Sequence, residues 1–247
     1  MERVENNGAL VGDDEVFIRY PLAYRVQHFL LILTLTVLLA TGLPLLFPDS
    51  RLFQALFIVP DLFVLRGQIH RVAAMALVAL SAAHVLYLAL SAGARGDLKE
   101  MIPAAGDART AFASLRFSLG LTRERPRVGR FSPMQKLHYW VLCAGVLFMI
   151  PTGFALWSPD RTMTQLPKWV MDLAVTFHGY EALLVFLILM VWHIYTVHLT
   201  PESFPMSGVW LTGRITAGKM KKLYPGEYEK IVRRRAAEKD DDRVAGG

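Results

Sequence analysis

The histidines of this 247-residue chain lie at the edges of four long apolar stretches, and two of these stretches carry a widely spaced pair. His70 and His84 are 14 residues apart in one stretch, and His178 and His193 are 15 residues apart in another. On an α-helix these separations correspond to about 21–22 Å along the axis, with both rings on nearly the same face. Imidazole is a usual axial ligand of haem iron, and two imidazoles give a six-coordinate electron carrier. The spacing therefore predicts two haem sites at two depths of a helical bundle.

The apolar stretches that carry these histidines predict four membrane-spanning helices. They cover about residues 26–47, 68–90, 137–157 and 169–199, and each is long enough to cross a hydrocarbon core of about 30 Å. Apolar residues make up 53% of the chain, and the spans with their connections leave no room for a separate soluble catalytic domain. The first stretch has no small-residue cleavage site and is interpreted as a retained span. We expect an all-α membrane protein, a bundle of four transmembrane helices.

The two halves of the chain repeat one pattern. In the first and third spans a basic residue and a histidine come first, and Thr-Gly follows 13 or 14 residues after the histidine. These residues are Arg25, His28, Thr41 and Gly42 in one span, and Lys136, His138, Thr152 and Gly153 in the other. The second and fourth spans each carry a wide histidine pair. The bundle is therefore predicted to consist of two duplicated helical hairpins.

Lysine and arginine are concentrated in the connection between the second and third spans and in the C-terminal tail. Basic loops stay on the cytoplasmic side, so both termini should be cytoplasmic, and the net charge of +6 reflects topology rather than nucleic-acid binding. The predicted organisation is a cytoplasmic segment at 1–24, a haem-binding membrane domain at 25–200 with a cytoplasmic connection at about 91–136, and a cytoplasmic basic tail at 201–247. Within the connection, residues 107–121 predict a surface helix. The expected location is the bacterial inner membrane, with several passes.

At the outer face the ligand assignment has a single solution. His70 and His178 are the histidines that this topology places there, so they are predicted to share one haem. Zinc also binds clustered histidines, but it explains neither the 14-residue spacing nor the membrane setting. The lone cysteine, Cys143, excludes an intrachain disulfide, a cysteine-ligated iron–sulfur cluster and a CxxCH haem attachment.

At the inner face two ligand assignments are open. His193 can pair with His84, which follows the wide spacing along the second span, or with His28 at the start of the first span. His198 comes five residues after His193, a turn of about 140° on an α-helix, so it is expected to point elsewhere. It is either an interfacial residue or the ligand of a third haem with a partner such as His28.

Several charged residues flank or follow these histidines. Arg25, Arg71 and Lys136 lie at span ends, where a cation either neutralises a haem propionate or simply follows the topology and extends its head towards water. Glu181 lies one turn after His178, inside the fourth span. An ionisable group at that depth is costly, so it either hydrogen-bonds a ligand, relays protons or bonds a neighbouring helix.

Four motifs mark the ends of the spans. They are Arg25-Val-Gln-His28, Gly67-Gln-Ile-His70-Arg71, Arg130-Phe-Ser-Pro-Met-Gln135-Lys136-Leu-His138-Tyr-Trp140 and Trp192-His193-Ile-Tyr-Thr-Val-His198. Over about residues 18–215 they resemble the dihaem cytochrome b subunit of membrane formate dehydrogenases. This broad group also includes cytochrome b subunits of hydrogenases and of complexes with multihaem cytochromes c.

The resemblance implies two haems b, four axial ligands and a quinone site. The ligands would be His28 and His193 for the inner haem, and His70 and His178 for the outer haem. The quinone pocket would lie beside the inner haem, at the segment around Ser132, Gln135 and Lys136, and His138 follows this segment at the same face. We therefore expect these four residues to bind quinone.

Two positions depart from the formate dehydrogenase pattern. Ser132 stands where that pattern commonly has asparagine, and His84 is an additional inner-side histidine. His84 resembles instead a position in the cytochrome b of quinol–cytochrome c complexes, in which the second and fourth spans each carry two haem ligands. The regularly spaced glycine pairs of that second family are lacking here, so the formate dehydrogenase group is the better match, and the choice between His28 and His84 stays open.

Together these patterns predict a b-type cytochrome subunit of a respiratory oxidoreductase complex, which carries electrons between a redox partner and the quinone pool. The partner would be an iron–sulfur protein or a multihaem cytochrome c, and membrane lipid surrounds the chain. No cysteine cluster, nucleotide loop or metal-hydrolase motif is present, so the chain is not expected to act alone on an organic substrate. The alternatives are a haem-free membrane anchor or transporter with histidine proton relays, and a transmembrane ferric reductase without a quinone site.

Overall fold

Helices make up most of the protein in the computed structural model, which describes residues 11–51, 54, 60–124, 126–200 and 203–245. Residues 1–10 of the predicted N-terminal segment, residue 125 of the connection, and residues 201, 202, 246 and 247 of the tail lie outside the described residues. The chain divides into two compact units. The membrane unit comprises Ala23–Arg95 and His138–Ser207, and the terminal unit comprises Met1–Leu22, Gly96–Leu137 and Gly208–Gly247.

The described elements are short strands, long helices and short helices, which are interspersed along the chain. In order they are β1 (Val16–Ile18), α1 (Leu22–Leu46), α2 (Pro60–Leu90), α3 (Ala92–Met101), α4 (Ala105–Ser118), α5 (Pro133–Trp157), α6 (Pro159–Gln165), α7 (Lys168–Leu187), α8 (Val209–Thr212), β2 (Arg214–Thr216), α9 (Ala217–Leu223) and α10 (Pro225–Ala245). Two π-helical segments, Ile188–His193 and Tyr195–Leu199, continue α7.

Within the described residues, four helices are long and apolar enough to cross a membrane: Leu22–Leu46, Leu65–Leu90, Pro133–Trp157 and Lys168–Leu199. The prediction of an all-α bundle with four spans is confirmed. Helices that are apolar on all sides belong either in a protein core or in lipid. Large apolar side chains of this bundle point outward, among them Val72 and Leu147, which are 71% and 70% exposed. Lipid is the solvent that such a surface requires, and the chain is a multi-pass membrane protein.

The terminal unit joins three distant parts of the chain. β1 pairs with β2 in an antiparallel ladder, with Phe17 opposite Ile215. Next to this ladder, the buried guanidinium of Arg19 forms an ion pair with Glu227 and lies over the ring of Tyr224, 3.6 Å from its centroid. This small sheet is an addition to the predicted all-α fold, and it uses the N-terminal segment and the tail as its two strands.

A second arginine completes the ion-pair cluster of the terminal unit. Arg130 contacts Glu227 at 2.8 Å and Asp97 at 2.7 Å. Burial lowers the pKa of Arg130, but the two carboxylates outweigh this effect and raise it, so the guanidinium stays charged. Arg130 and Arg19 also exchange hydrogen bonds with each other's backbone carbonyls, at 3.1 and 2.6 Å. Arg130, the first residue of the motif at the start of the third span, therefore links the connection to both the N-terminal segment and the C-terminal tail.

Candidate functional site

The rings of His70 on α2 and His178 on α7 face each other, with their centroids 6.4 Å apart. Two imidazoles that coordinate one metal ion from opposite sides, with metal–nitrogen bonds of about 2.0–2.1 Å, have centroids about 6 Å apart. The predicted outer ligands are therefore spaced to hold one iron between them.

Each ring of this outer pair is oriented by a threonine of a neighbouring span. Thr41 Oγ1 lies 2.8 Å from His70 Nδ1, and Thr152 Oγ1 lies 3.0 Å from His178 Nδ1. Each hydroxyl donates its proton to the backbone carbonyl four residues earlier, at 2.6 and 2.9 Å respectively. The hydroxyl must then accept from the Nδ1–H group. In this tautomer Nε2 carries the lone pair that a metal ion needs.

Glycine follows each of these threonines and lets the histidine ring approach closely. A Cβ atom at Gly42 would lie 3.2 Å from Cε1 of His70, and one at Gly153 would lie 3.2 Å from Cε1 of His178. The repeated Thr-Gly pair therefore positions a histidine in both halves of the bundle. In the sequence, Thr-Gly indicates only duplication, and its contact with the histidine ring was not predicted. The equal spacing of Thr-Gly in the two halves was a signal of this contact.

The second pair consists of His28 on α1 and His193 in the π-helical segment after α7, with ring centroids 6.2 Å apart. This distance also suits coordination of one iron from opposite sides. His138 stacks on His193 with centroids 4.7 Å apart and planes at 20° to each other, which is too close for that arrangement. Between the two open assignments, the geometry favours His28 as the partner of His193.

His84 bonds to other polar groups of the bundle. Its Nδ1 lies 2.7 Å from Gln27 Oε1, and its Nε2 lies 3.1 Å from the hydroxyl of Tyr139. The amide oxygen of Gln27 can only accept, so Nδ1 carries the proton and Nε2 accepts from Tyr139. Both ring nitrogens of His84 are thus occupied by side chains of the first and third spans.

The π-helical segment Ile188–His193 changes the direction in which His193 points. On a regular α-helix, 15 residues turn His193 about 60° past the face of His178. A π-helix has i→i+5 hydrogen bonds and more residues per turn, so each of its residues rotates the side chains by less. The segment therefore returns His193 towards the face that carries His178, and both rings can serve the same bundle interior.

The second π-helical segment, Tyr195–Leu199, changes the geometry on which the expectation for His198 rests. The predicted turn of about 140° from His193 assumed a regular α-helix, and the chain is not a regular α-helix there. The smaller rotation per residue brings His198 close enough to interact electrostatically with His28 and His193. His198 therefore belongs to the surroundings of the inner pair.

Three of the four predicted quinone residues have local structural contacts. The N–H of Gln135 donates to Ser132 Oγ at 3.2 Å, and the N–H of Ser132 donates to Gln135 Oε1 at 2.9 Å. This is a capping box, which satisfies two free donors at the start of α5. Lys136 Nζ lies 3.0 Å from Asp107 Oδ2. Their quinone role stays a prediction.

His138, the fourth predicted quinone residue, lies within the membrane unit. Its Nδ1 is buried and lacks a hydrogen-bond partner among the described residues. His138 and Glu181 line one small cavity between α5 and α7, whose other walls are apolar. Gly145 leaves space for this carboxylate, because a Cβ there would lie 2.9 Å from Glu181 Oε1. The cavity thus combines two polar groups beside the inner pair.

Two of the three predicted propionate partners, Arg25 and Arg71, differ in their contacts. Arg25 lies one turn before His28, and its Nε is buried without a hydrogen-bond partner among the described residues. An anionic group beside His28 would satisfy it. Arg71 lies over the ring of Trp157, 5.3 Å from its centroid, and reaches the Trp157 carbonyl at 3.5 Å. The orphaned guanidinium nitrogen of Arg25 thus agrees with a haem beside the inner pair.

Facing imidazole pairs inside a bundle of membrane-spanning helices are the arrangement that a membrane cytochrome with histidine-ligated haem requires. The family model described as prokaryotic cytochrome b561 matches residues 19–202, and the chain belongs to this family. A search of curated proteins found no match. The protein is therefore a membrane b-type cytochrome that binds haem b and transfers electrons, as the sequence predicted. The narrower likeness to the formate dehydrogenase subunit stays a prediction.

The threonine contacts lead to a prediction about the redox potential of the outer haem. The hydroxyl oxygen of Thr41 accepts from the Nδ1–H group of His70, which makes the imidazole more basic and favours ferric iron. Loss of such a hydrogen bond to a ligand typically changes metal affinity 10-fold or more. Replacing Thr41 by valine should therefore leave the haem bound and raise its midpoint potential by about 60 mV for a tenfold effect. Potentiometric titration of the purified protein measures this shift.

Thr34→Val is the matched control for this substitution, because the Thr34 hydroxyl bonds only backbone carbonyls of its own helix, at 2.8 and 3.1 Å. It should leave both potentials unchanged. If Thr41→Val also leaves both unchanged while the haem is present, Thr41 does not orient a ligand.

Proposed function

We propose that this protein is the cytochrome b subunit of a respiratory oxidoreductase complex in the bacterial inner membrane, and that it links a redox partner subunit to the quinone pool. It would hold two haems b, one between His70 and His178 and the other between His28 and His193. The observation that carries the proposal is the presence of two imidazole pairs, at 6.4 and 6.2 Å, in one membrane bundle. When bound, haem b supplies one-electron redox chemistry at each site.

The residues of the chain prepare these sites for electron transfer rather than for oxygen chemistry. Two imidazoles per iron leave no open coordination position. Thr41 and Thr152 fix the outer rings in one tautomer, so little has to reorganise when the charge of the site changes. The histidines at the two ends of the fourth span would lie about 22 Å apart on a regular α-helix and somewhat closer with the π-helical segment, which still covers much of a hydrocarbon core of about 30 Å.

Quinone exchange is proposed at the inner pair, near His138. Reduction of a quinone needs hydrogen-bond donors at its carbonyl oxygens and a supply of protons. The Nδ1 of His138, which has no hydrogen-bond partner in the described part of the chain, and the Glu181 carboxylate on the same cavity support this location. With electrons arriving from an outer partner, such as an iron–sulfur protein or a multihaem cytochrome c, proton uptake at the cytoplasmic face would make the transfer charge-separating.

The test is a haem count followed by redox titration of the purified protein. We expect two haems b per chain with two midpoint potentials, and a quinol should reduce the haem that a quinone-site inhibitor perturbs. A colourless preparation made with haem available would contradict a cytochrome function. Two haems that respond to neither quinol nor inhibitor would instead favour a transmembrane ferric reductase.

A further inference from the structure

Helix α4 of the terminal unit turns its apolar side outward. Phe112, Leu115 and Leu119 are 63%, 55% and 64% exposed. Their spacing of three and four residues places Phe112 and Leu115 on one face of the helix, and Leu119, the C-cap residue, continues that face. Leu121 follows the end of the helix and is 65% exposed. These four residues form what we call the α4 stripe.

The side of α4 opposite the stripe is half-buried and carries polar and apolar residues together, among them Asp107, Ser114 and Phe117. The Asp107 carboxylate accepts from the N–H of Ala104 at 2.7 Å, and Ser114 on the same side is half-buried and bonds the Thr110 carbonyl at 2.8 Å. A surface helix of a water-soluble protein turns a row of large apolar side chains inward, whereas the α4 stripe is exposed. The environment outside the α4 stripe must therefore be apolar.

The start of α4 is fixed next to the start of a membrane span. Lys136, in the first turn of α5, contacts Asp107 at 3.0 Å and the Ile102 carbonyl at 3.3 Å. Burial raises the pKa of Asp107, but the hydrogen bond from the Ala104 N–H and the charge of Lys136 lower it by more. The pKa of Asp107 is therefore below its ordinary value, and the carboxylate stays ionised. α4 therefore begins next to the first turn of α5, a candidate membrane span.

The charged residues of α4 indicate that the surface that covers the α4 stripe is anionic. Arg109 and Arg116 are exposed and lie about 90° around the helix from the stripe, on one flank. Residues 108–123 contain arginines but no acidic residue. An interfacial helix with apolar residues on one face and basic residues beside it binds anionic lipid, because the arginines reach the headgroups while the apolar face enters the acyl boundary.

We propose that α4 is an interfacial helix that lies on the anionic surface of the membrane, with the α4 stripe in the lipid and Arg109 and Arg116 on phosphate groups. The occupant is anionic phospholipid rather than a partner protein, since the ion pair to α5 fixes the helix next to the first turn of a candidate membrane span and its flanking arginines match phosphate groups. The proposal does not depend on haem number or on a quinone role.

An environment-sensitive fluorophore tests this in the full-length protein reconstituted in nanodiscs. The probe is attached at Leu115→Cys in a Cys143→Ser background, and the reference is Arg233→Cys on α10, where the native side chain is 83% exposed. We expect blue-shifted emission at position 115, with quenching by lipids that carry a quencher near the glycerol level. The reference probe should report water. The haem absorption spectrum shows that each variant is folded.

Lipid charge and arginine neutralisation provide the second arm of the experiment. Each basic residue at an anionic surface contributes about 1 kcal/mol, which is about fivefold in binding. In discs with phosphatidylglycerol, R109Q and R116Q should each reduce the lipid-contact population about fivefold, and in purely zwitterionic discs they should have no effect. A water-like probe in both discs, a blue shift without lipid quenching, or lipid contact independent of lipid charge would each overturn the proposal.

Discussion

Replacing His28 by alanine should remove one haem from the purified protein, whereas replacing His84 by alanine should leave both in place. His28 faces His193 at the distance that one iron requires, 6.2 Å between centroids. Both nitrogens of His84 are bonded to Gln27 and Tyr139 instead. The pyridine haemochrome assay, normalised to protein, measures the haem content of each variant.

His84→Gln separates a ligand role from a structural one. Glutamine can bond both Gln27 and Tyr139 but is not an axial haem ligand. If His84→Ala loses a haem and His84→Gln retains it, the loss comes from the hydrogen-bond network, and the assignment of His28 stands. Loss of one haem in both His84 variants, with none lost in His28→Ala, would reverse the assignment. Loss in all three would indicate a third haem.

The four spans could be predicted from sequence because a membrane helix needs only length and apolar composition, and both are local properties. The boundaries were less accurate. The third span, predicted at 137–157, begins at Pro133. Ser132 and Gln135 form a capping box there, so polar residues continue the helix beyond its apolar part. The Ser-x-x-Gln pattern in the sequence indicates such a helix start, and the quinone role of the same residues stays a prediction.

The inner pair could not be chosen from spacing alone. The wide spacing along α2 offered His84, and regular α-helical geometry placed His198 away from His193. Both expectations require a regular α-helix, in which the position of a residue in the sequence determines the direction of its side chain. The π-helical segments break that rule for the end of the fourth span. The partners of His84 come from the first and third spans, and single-span periodicity does not show such contacts.

The outer pair was simpler to predict because topology leaves two histidines at that face. What the sequence did not show was how their rings are oriented. The threonine and glycine that contact each ring lie 25 to 29 residues away along the chain, on a different helix. The equal position of Thr-Gly in both halves was the available signal, since a duplicated hairpin repeats its contacts as well as its residues.

The pairing of ligands predicts a distinct pattern in double variants, and this is the strongest test of the site as a whole. His70→Ala and His178→Ala should each leave one haem, because an iron that loses one of two imidazoles at a membrane site is no longer held at both sides. The double variant should also leave one haem, since both residues hold the same iron. His70→Ala combined with His28→Ala should leave none. Haem content and the number of midpoint potentials measure all four outcomes.

Rescue with imidazole shows whether each loss is a loss of coordination. In His70→Gly, free imidazole can occupy the space of the missing ring and restore the outer haem, because His178 still supplies the opposite ligand and Thr152 still orients it at 3.0 Å. The double variant His70→Gly/His178→Gly keeps neither protein ligand, so imidazole should restore it far less. If His70→Ala and His178→Ala together remove two haems, the two residues serve different irons, and the pairing across 6.4 Å is wrong.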